Sequence, residues 1–154
     1  MRVAISVNGR RTEVDIEPGE SLMDVLRRSE YTSVKNGCDR GDCGSCAVLL
    51  DGRAVNACLV FAAKADGREI RTIEGLATDD LHPLQSASLD AGAVQCGFCT
   101  PGMLLTALDL LEHTPDPTED EVRETLAGNY CRCTGYVKPI EAILEAAARM
   151  RGAR

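Results

Sequence analysis

Three thiols crowd one short stretch, Gly37 to Cys46, which reads Gly-Cys-Asp-Arg-Gly-Asp-Cys-Gly-Ser-Cys, and a fourth follows at Cys58. The spacing Cys-x4-Cys-x2-Cys of Cys38, Cys43 and Cys46, completed by one distant cysteine, is the plant-type arrangement for a [2Fe-2S] cluster held by four thiolates. Such a cluster is anionic, so the loop must curl around it and aim backbone N–H groups at sulfur. Gly37, Gly41 and Gly44 let the backbone do so. Four cysteines also suit tetrahedral zinc, but zinc sites usually pair two Cys-x2-Cys knuckles and this loop holds only one. Disulfides lose on context: no secretory segment is evident, and a cytoplasmic chain keeps its thiols reduced.

A second set of four follows, Cys96, Cys99, Cys131 and Cys133, and no cysteine is left over. Cys99 immediately precedes Thr100-Pro101, a helix-start signal, where free N–H groups and partial positive charge favour an anion. A Cys-x2-Cys with a distant Cys-x-Cys is a standard spacing for neither metal. On spacing alone this second site stays open between iron–sulfur and zinc.

The elements that must position these thiols change character along the chain. Val3, Ile5 and Val7 alternate, Asn8-Gly9 is a hairpin signal, and Thr12, Val14 and Ile16 continue beyond it. Ser21 with Asp24 forms a capping box that opens a helix through Leu22, Val25 and Leu26. Ala47 to Leu50, Arg53 to Val60 and Glu69 to Ile73 read as strands, in a β-grasp order that places Cys58 on a strand running back past the loop. Glu74 to His82 has no periodicity. Four helices then follow: one after Pro83 with a stop at Gly92, one from Thr100 as N-cap to about His113, one capped by Thr118 and Glu121, and one opened by Pro139. The paired cysteines fall between the first two helices and between the last two, so both pairs can meet at one end of a small bundle.

Composition removes other functions. Lys and Arg number 17 against 24 Asp and Glu, a net charge of -7 with no basic cluster, so no nucleic-acid partner is expected. The longest uncharged apolar run, Val55 to Ala63, is about half of the roughly 18 residues needed to span a bilayer, so no membrane association is expected either. Arg10-Arg11 lacks the apolar segment of an export signal, and a cytoplasmic location is expected. No nucleophile with a matched base and no phosphate-cradling loop is present, so no catalytic residue is expected on the chain itself. His82 and His113 read as helix-end residues, and Asp79-Asp80 and Glu119 to Glu121 as acidic helix starts.

The run Gln-Cys-Gly-Phe-Cys-Thr-Pro-Gly from Gln95 to Gly102, followed by Ala-Gly-Asn-Tyr-Cys-Arg-Cys-Thr-Gly-Tyr from Ala127 to Tyr136, resembles the two signatures of the iron–sulfur subunit of the molybdenum hydroxylases. That family includes xanthine dehydrogenase, aldehyde oxidoreductase and carbon monoxide dehydrogenase. The Gly37 to Cys46 loop and Cys58 match its first cluster, and the resemblance covers nearly the whole chain. It implies two [2Fe-2S] clusters relaying electrons between a large molybdopterin subunit, where substrate is oxidised at molybdenum, and a medium subunit carrying FAD. The family's usual assembly is a dimer of heterotrimers. By resemblance, Cys96, Cys99, Cys131 and Cys133 hold the cluster near the pterin, and Gln95 and Cys133 match positions that contact it. Asp39, Arg40, Ser45 and Ala47 depart from the Gly, Glu, Ala and Thr more often found there; none is a ligand.

The expectation is therefore an α+β chain: a β-grasp, plant-type ferredoxin-like domain over 1–75, a linker over 76–81, and a four-helix-bundle [2Fe-2S] domain over 82–154. Its rivals are a free-standing two-cluster ferredoxin and a zinc-stabilised interaction module.

Overall fold

The computed structural model describes residues 1–152. Strands β1 (Arg2–Val7) and β2 (Arg10–Asp15) form the expected hairpin, with Asn8 and Gly9 both at positive φ, 53° and 77°, as a tight two-residue turn requires. Helix α1 (Leu22–Arg28) starts at Ser21, whose hydroxyl accepts from the Asp24 N–H at 3.1 Å. Strands β3 (Ala47–Leu50), β4 (Arg53–Asn56) and β5 (Glu69–Arg71) complete a mixed five-stranded sheet in the order β2-β1-β5-β3-β4. β5 lies parallel to β1 and antiparallel to β3. Val3, Ile5 and Val7 alternate onto the face covered by Leu22, Met23, Val25 and Leu26 of α1, and this is the first core.

Two expected strands end early, each for a visible reason. β4 pairs with β3 only as far as Asn56 opposite Ala47, where β3 begins. One more backbone bond follows, from the Ala57 N–H to the Cys46 carbonyl at 3.3 Å, and Ala57–Leu59 then closes into a short 3₁₀ turn, so Cys58 sits on the turn, not on a strand. β5 stops at Arg71 because the Asn8 side chain takes over the next residue. Its Oδ1 accepts from the Thr72 N–H and its Nδ2 donates to Thr72 Oγ1, both at 2.9 Å.

After β5 come four α-helices: α2 (Pro83–Asp90), α3 (Thr100–His113), α4 (Glu119–Leu126) and α5 (Val137–Gly152). Thr118 and Glu121 form the expected reciprocal box before α4, and His82 with Gln85 forms another before α2. Two starts shift slightly. The first α3 bond runs from the Met103 N–H to the Cys99 carbonyl, so Cys99 is the cap and Thr100 the first helical residue. Helix α5 opens at Val137, two residues before Pro139, whose missing N–H falls in the first turn where no partner is needed. Leu84, Leu105, Leu108, Leu111, Leu126 and Ile143 fill the second core.

β3 joins the two halves. All four of its residues are buried, with Val48 and Leu50 in the first core and Leu49 in the second, against α3. The strand leaving the cysteine loop is thereby clamped on both faces.

Two cysteine sites back to back

The first site begins where the chain turns through Asp39 and Gly41, both at positive φ. That turn directs the Asp42 and Cys43 N–H groups at Cys38 Sγ, at 3.3 and 3.4 Å. Donation from the Arg40 backbone, then from Cys43, lowers the Cys38 thiol to about 7. Cys46 is buried at the entrance to β3, and burial pushes its thiol up to about 12. Cys58 is half-buried beside it. Bound positive charge beside Cys46 would offset the cost of ionising that buried thiol.

The second site lies where the loop before α3 meets the loop before α5. Cys99 caps α3 and its burial raises the thiol to about 12. Burial also opposes a Cys131 thiolate, but the Thr134 hydroxyl, with Oγ1 3.0 Å from Cys131 Sγ, and backbone donors outweigh it and lower the thiol. Tyr136, at φ 68°, turns its hydroxyl back to accept from the Cys131 N–H at 2.9 Å. Cys96 and Cys133 are exposed at the outer edge, and Gln95 Nε2 donates to the Cys133 carbonyl at 3.3 Å. The chain thus brings Gln95 and Cys133 together.

Within each site the thiols lie close enough to influence one another: Cys38 with Cys43, and Cys46 with Cys58 and Cys43, then Cys96 with Cys133 and Cys131, and Cys99 with Cys131 and Cys96. Among the described residues no three His, Cys, Asp or Glu side chains converge on one ion position.

The two sites are in direct contact. The Tyr130 N–H, adjacent to Cys131, donates to the Cys43 carbonyl at 2.8 Å. The buried Asn129 amide donates to the Gly44 carbonyl at 3.1 Å. This approach needs glycine twice. A Cβ on Gly44 would lie 2.3 Å from the Gly128 carbonyl oxygen, and one on Gly102 would lie 2.3 Å from the Gly44 oxygen. Phe98 of the second loop reaches the first, 3.5 Å from where a Gly37 Cβ would be. Sequence reasoning did not find the roles of Asn129, Gly102 or Thr134. The only signal for them was membership of the cysteine-bearing motifs.

Comparison with known proteins accords with this geometry. A family model described as a 2Fe-2S iron-sulfur cluster binding domain matches residues 5–76, and one described as a [2Fe-2S] binding domain matches residues 72–144. Both describe iron–sulfur domains, so zinc is displaced at the second site, where spacing had left it open. The chain is 50% identical over 147 residues to the nicotine 6-hydroxylase small subunit of Paenarthrobacter nicotinovorans, covering 95% of this chain and 89% of that one. It is 43% identical to the xanthine dehydrogenase iron-sulfur-binding subunit of Escherichia coli O157:H7, covering 93% and 92%. Among solved structures, quinoline 2-oxidoreductase from Pseudomonas putida 86 superposes with a TM-score of 0.94 at 44% identity, covering 99% of this chain and 96% of that chain. Aldehyde oxidoreductase from Desulfovibrio gigas gives the same TM-score of 0.94 at 42% identity, but the match spans only 18% of its longer chain.

Proposed function

Because this chain belongs to the family of iron–sulfur small subunits of the xanthine dehydrogenase, aldehyde oxidoreductase and nicotinate hydroxylase enzymes, we propose that it relays electrons between two partner subunits. Cys38, Cys43, Cys46 and Cys58 hold the first [2Fe-2S] cluster, and Cys96, Cys99, Cys131 and Cys133 hold the second. The units are 1–75 and 82–154, joined by 76–81. When bound, each cluster takes up and gives on one electron. The chain's own contribution is to fix the two sites against each other and to keep water out from between them.

The observation that carries this reading is the bridge from Cys131 through the Tyr130 N–H to the Cys43 carbonyl, 2.8 Å long. It links a thiol of one site to a thiol of the other by covalent bonds and one hydrogen bond. The outer edge of the second site, with exposed Cys96 and Cys133 and with Gln95 across Cys133, faces a large molybdopterin subunit. Gln95 offers both a donor and an acceptor to a pterin edge. The first site faces a medium subunit that carries FAD, so electrons enter at the helical half and leave at the β-grasp half. The assembly is a dimer of heterotrimers in the cytoplasm, where thiols stay reduced. Large apolar side chains left open to solvent, Leu59, Phe61, Leu81, Leu89, Tyr130 and Val137, suit an integrated subunit better than a free carrier.

Anaerobic purification of the tagged chain from its own host tests the proposal. A large and a medium subunit should accompany it, with molybdenum and FAD each near one per chain. A lone 16.5 kDa species in mild salt would overturn the subunit reading in favour of a free-standing ferredoxin.

A further inference from the structure

Each cysteine site holds one hydroxyl against one sulfur. Ser45 Oγ lies 3.1 Å from Cys43 Sγ and 3.3 Å from the Lys35 carbonyl oxygen, and Ser45 is only 4% exposed. Gly37 makes room for this contact, because a Cβ there would come within 2.6 Å of Ser45 Oγ and 2.7 Å of Cys43 Sγ. In the second site Thr134 Oγ1 lies 3.0 Å from Cys131 Sγ and accepts from the Tyr136 N–H at 3.2 Å. That bond occupies a lone pair of Thr134 and leaves its proton for the sulfur.

A metal-bound cysteine is a thiolate and carries no proton, so the serine hydroxyl is the only donor in the Ser45–Cys43 contact. It has two acceptors in reach. The thiolate is both nearer and charged, and charge-assisted bonds are the stronger ones. We propose that Ser45 donates to the Cys43 thiolate and thereby raises the reduction potential of the first cluster, setting how readily it draws electrons from the second. The added electron increases negative charge on the sulfurs. A fixed donor therefore stabilises the reduced form more than the oxidised one. No bond is broken in the step: one electron arrives from the second cluster, and the proton stays on Ser45 Oγ. The Thr134 hydroxyl acts alike on its own side, so removing Ser45 alone tilts the balance backwards.

This inference rests on the proposed assignment of the first cluster to Cys38, Cys43, Cys46 and Cys58. The test is a redox titration of the complete complex followed by electron paramagnetic resonance, comparing the unsubstituted protein with Ser45→Ala, Ser45→Thr and Thr134→Val. Loss of one such bond is worth about tenfold in an equilibrium constant, which is about 59 mV for a one-electron couple. Ser45→Ala should lower the reduction constant of one cluster about tenfold and leave the other in place. Ser45→Thr, which restores a hydroxyl, should recover it, and Thr134→Val should move the other signal. If Ser45→Ala does not load its cluster, Ser45→Gly removes the same hydroxyl and adds no atoms. An unchanged midpoint with both clusters intact overturns the proposal. About two irons per chain rather than about four in the unsubstituted protein would instead overturn the cluster assignment beneath it.

Discussion

Replacing Gly102 by alanine sets two physical effects of opposite sign against each other. Gly102 is the third residue of α3, where alanine is worth at most the about 1 kcal/mol that it gains over glycine in a helix interior. Its backbone is not at positive φ, so conformational strain does not enter. The new Cβ, however, would meet the Gly44 carbonyl oxygen at 2.3 Å and Ser45 Cα at 3.3 Å. The obstacle is backbone, so relief requires α3 and the first cysteine loop to move apart by close to an ångström. That separation strains the Asn129 to Gly44 bond of 3.1 Å and the Tyr130 to Cys43 bond of 2.8 Å. Two such bonds contribute about 2 kcal/mol together, and overpacking adds about 1–3 kcal/mol. After the helix gain is subtracted, the expected loss is about 2–4 kcal/mol, or about 4–16 °C in Tm for a chain of this size. Thermal unfolding of the loaded chain reads this directly, and electron transfer between the clusters should slow in the same variant. A rise in Tm of a few degrees would mean that the close approach does not exist and would refute the account of how the two sites are held together.

Further outcomes follow from single groups. Asp109 of α3 accepts from the Ala54 N–H at 2.8 Å and pairs with Arg53 at 3.2 Å, so Asp109→Ala should cost about 2 kcal/mol by chemical denaturation. Burial, and then the nearby Arg71, lowers the His82 imidazole below its usual value, and its Nδ1 accepts from the Leu84 N–H at 3.2 Å. The unfolded chain therefore binds more protons, so stability is full above about pH 6.5 and falls as the pH drops through the lowered folded value. His82→Asn, which keeps a capping acceptor, should flatten that part of the stability profile. Cys131→Ser should remove about two of four irons and one paramagnetic signal while the other cluster persists.

The 2Fe-2S character of the chain was legible because ligand chemistry dictates spacing within one loop, and Cys38, Cys43 and Cys46 carry that spacing with no help from the fold. Helix starts were legible for a similar reason: Ser21 with Asp24 and Thr118 with Glu121 satisfy orphan N–H groups three residues away. What was not legible depends on residues distant in sequence. The end of β4, and so the setting of Cys58, is decided by where β3 runs out at Ala47. The close contact between sites depends on Gly44 meeting Gly102 and Asn129, and the sequence signals of these residues carry no partner. Ser45 stood out in the sequence as a departure that bears on the first cluster's potential, but which sulfur its hydroxyl meets, Cys43 Sγ at 3.1 Å, is set by the fold.

The central claim is that one chain carries two [2Fe-2S] clusters in adjoining sites. Iron, sulfide and zinc analysis of the anaerobically purified complex, combined with paramagnetic spin quantitation after reduction, tests it most directly. The account predicts about four irons and four sulfides per chain, no zinc, and two distinct signals of about one spin each, split by magnetic interaction between neighbouring clusters. Zinc in place of iron at either site, or two signals with no interaction between them, would contradict it.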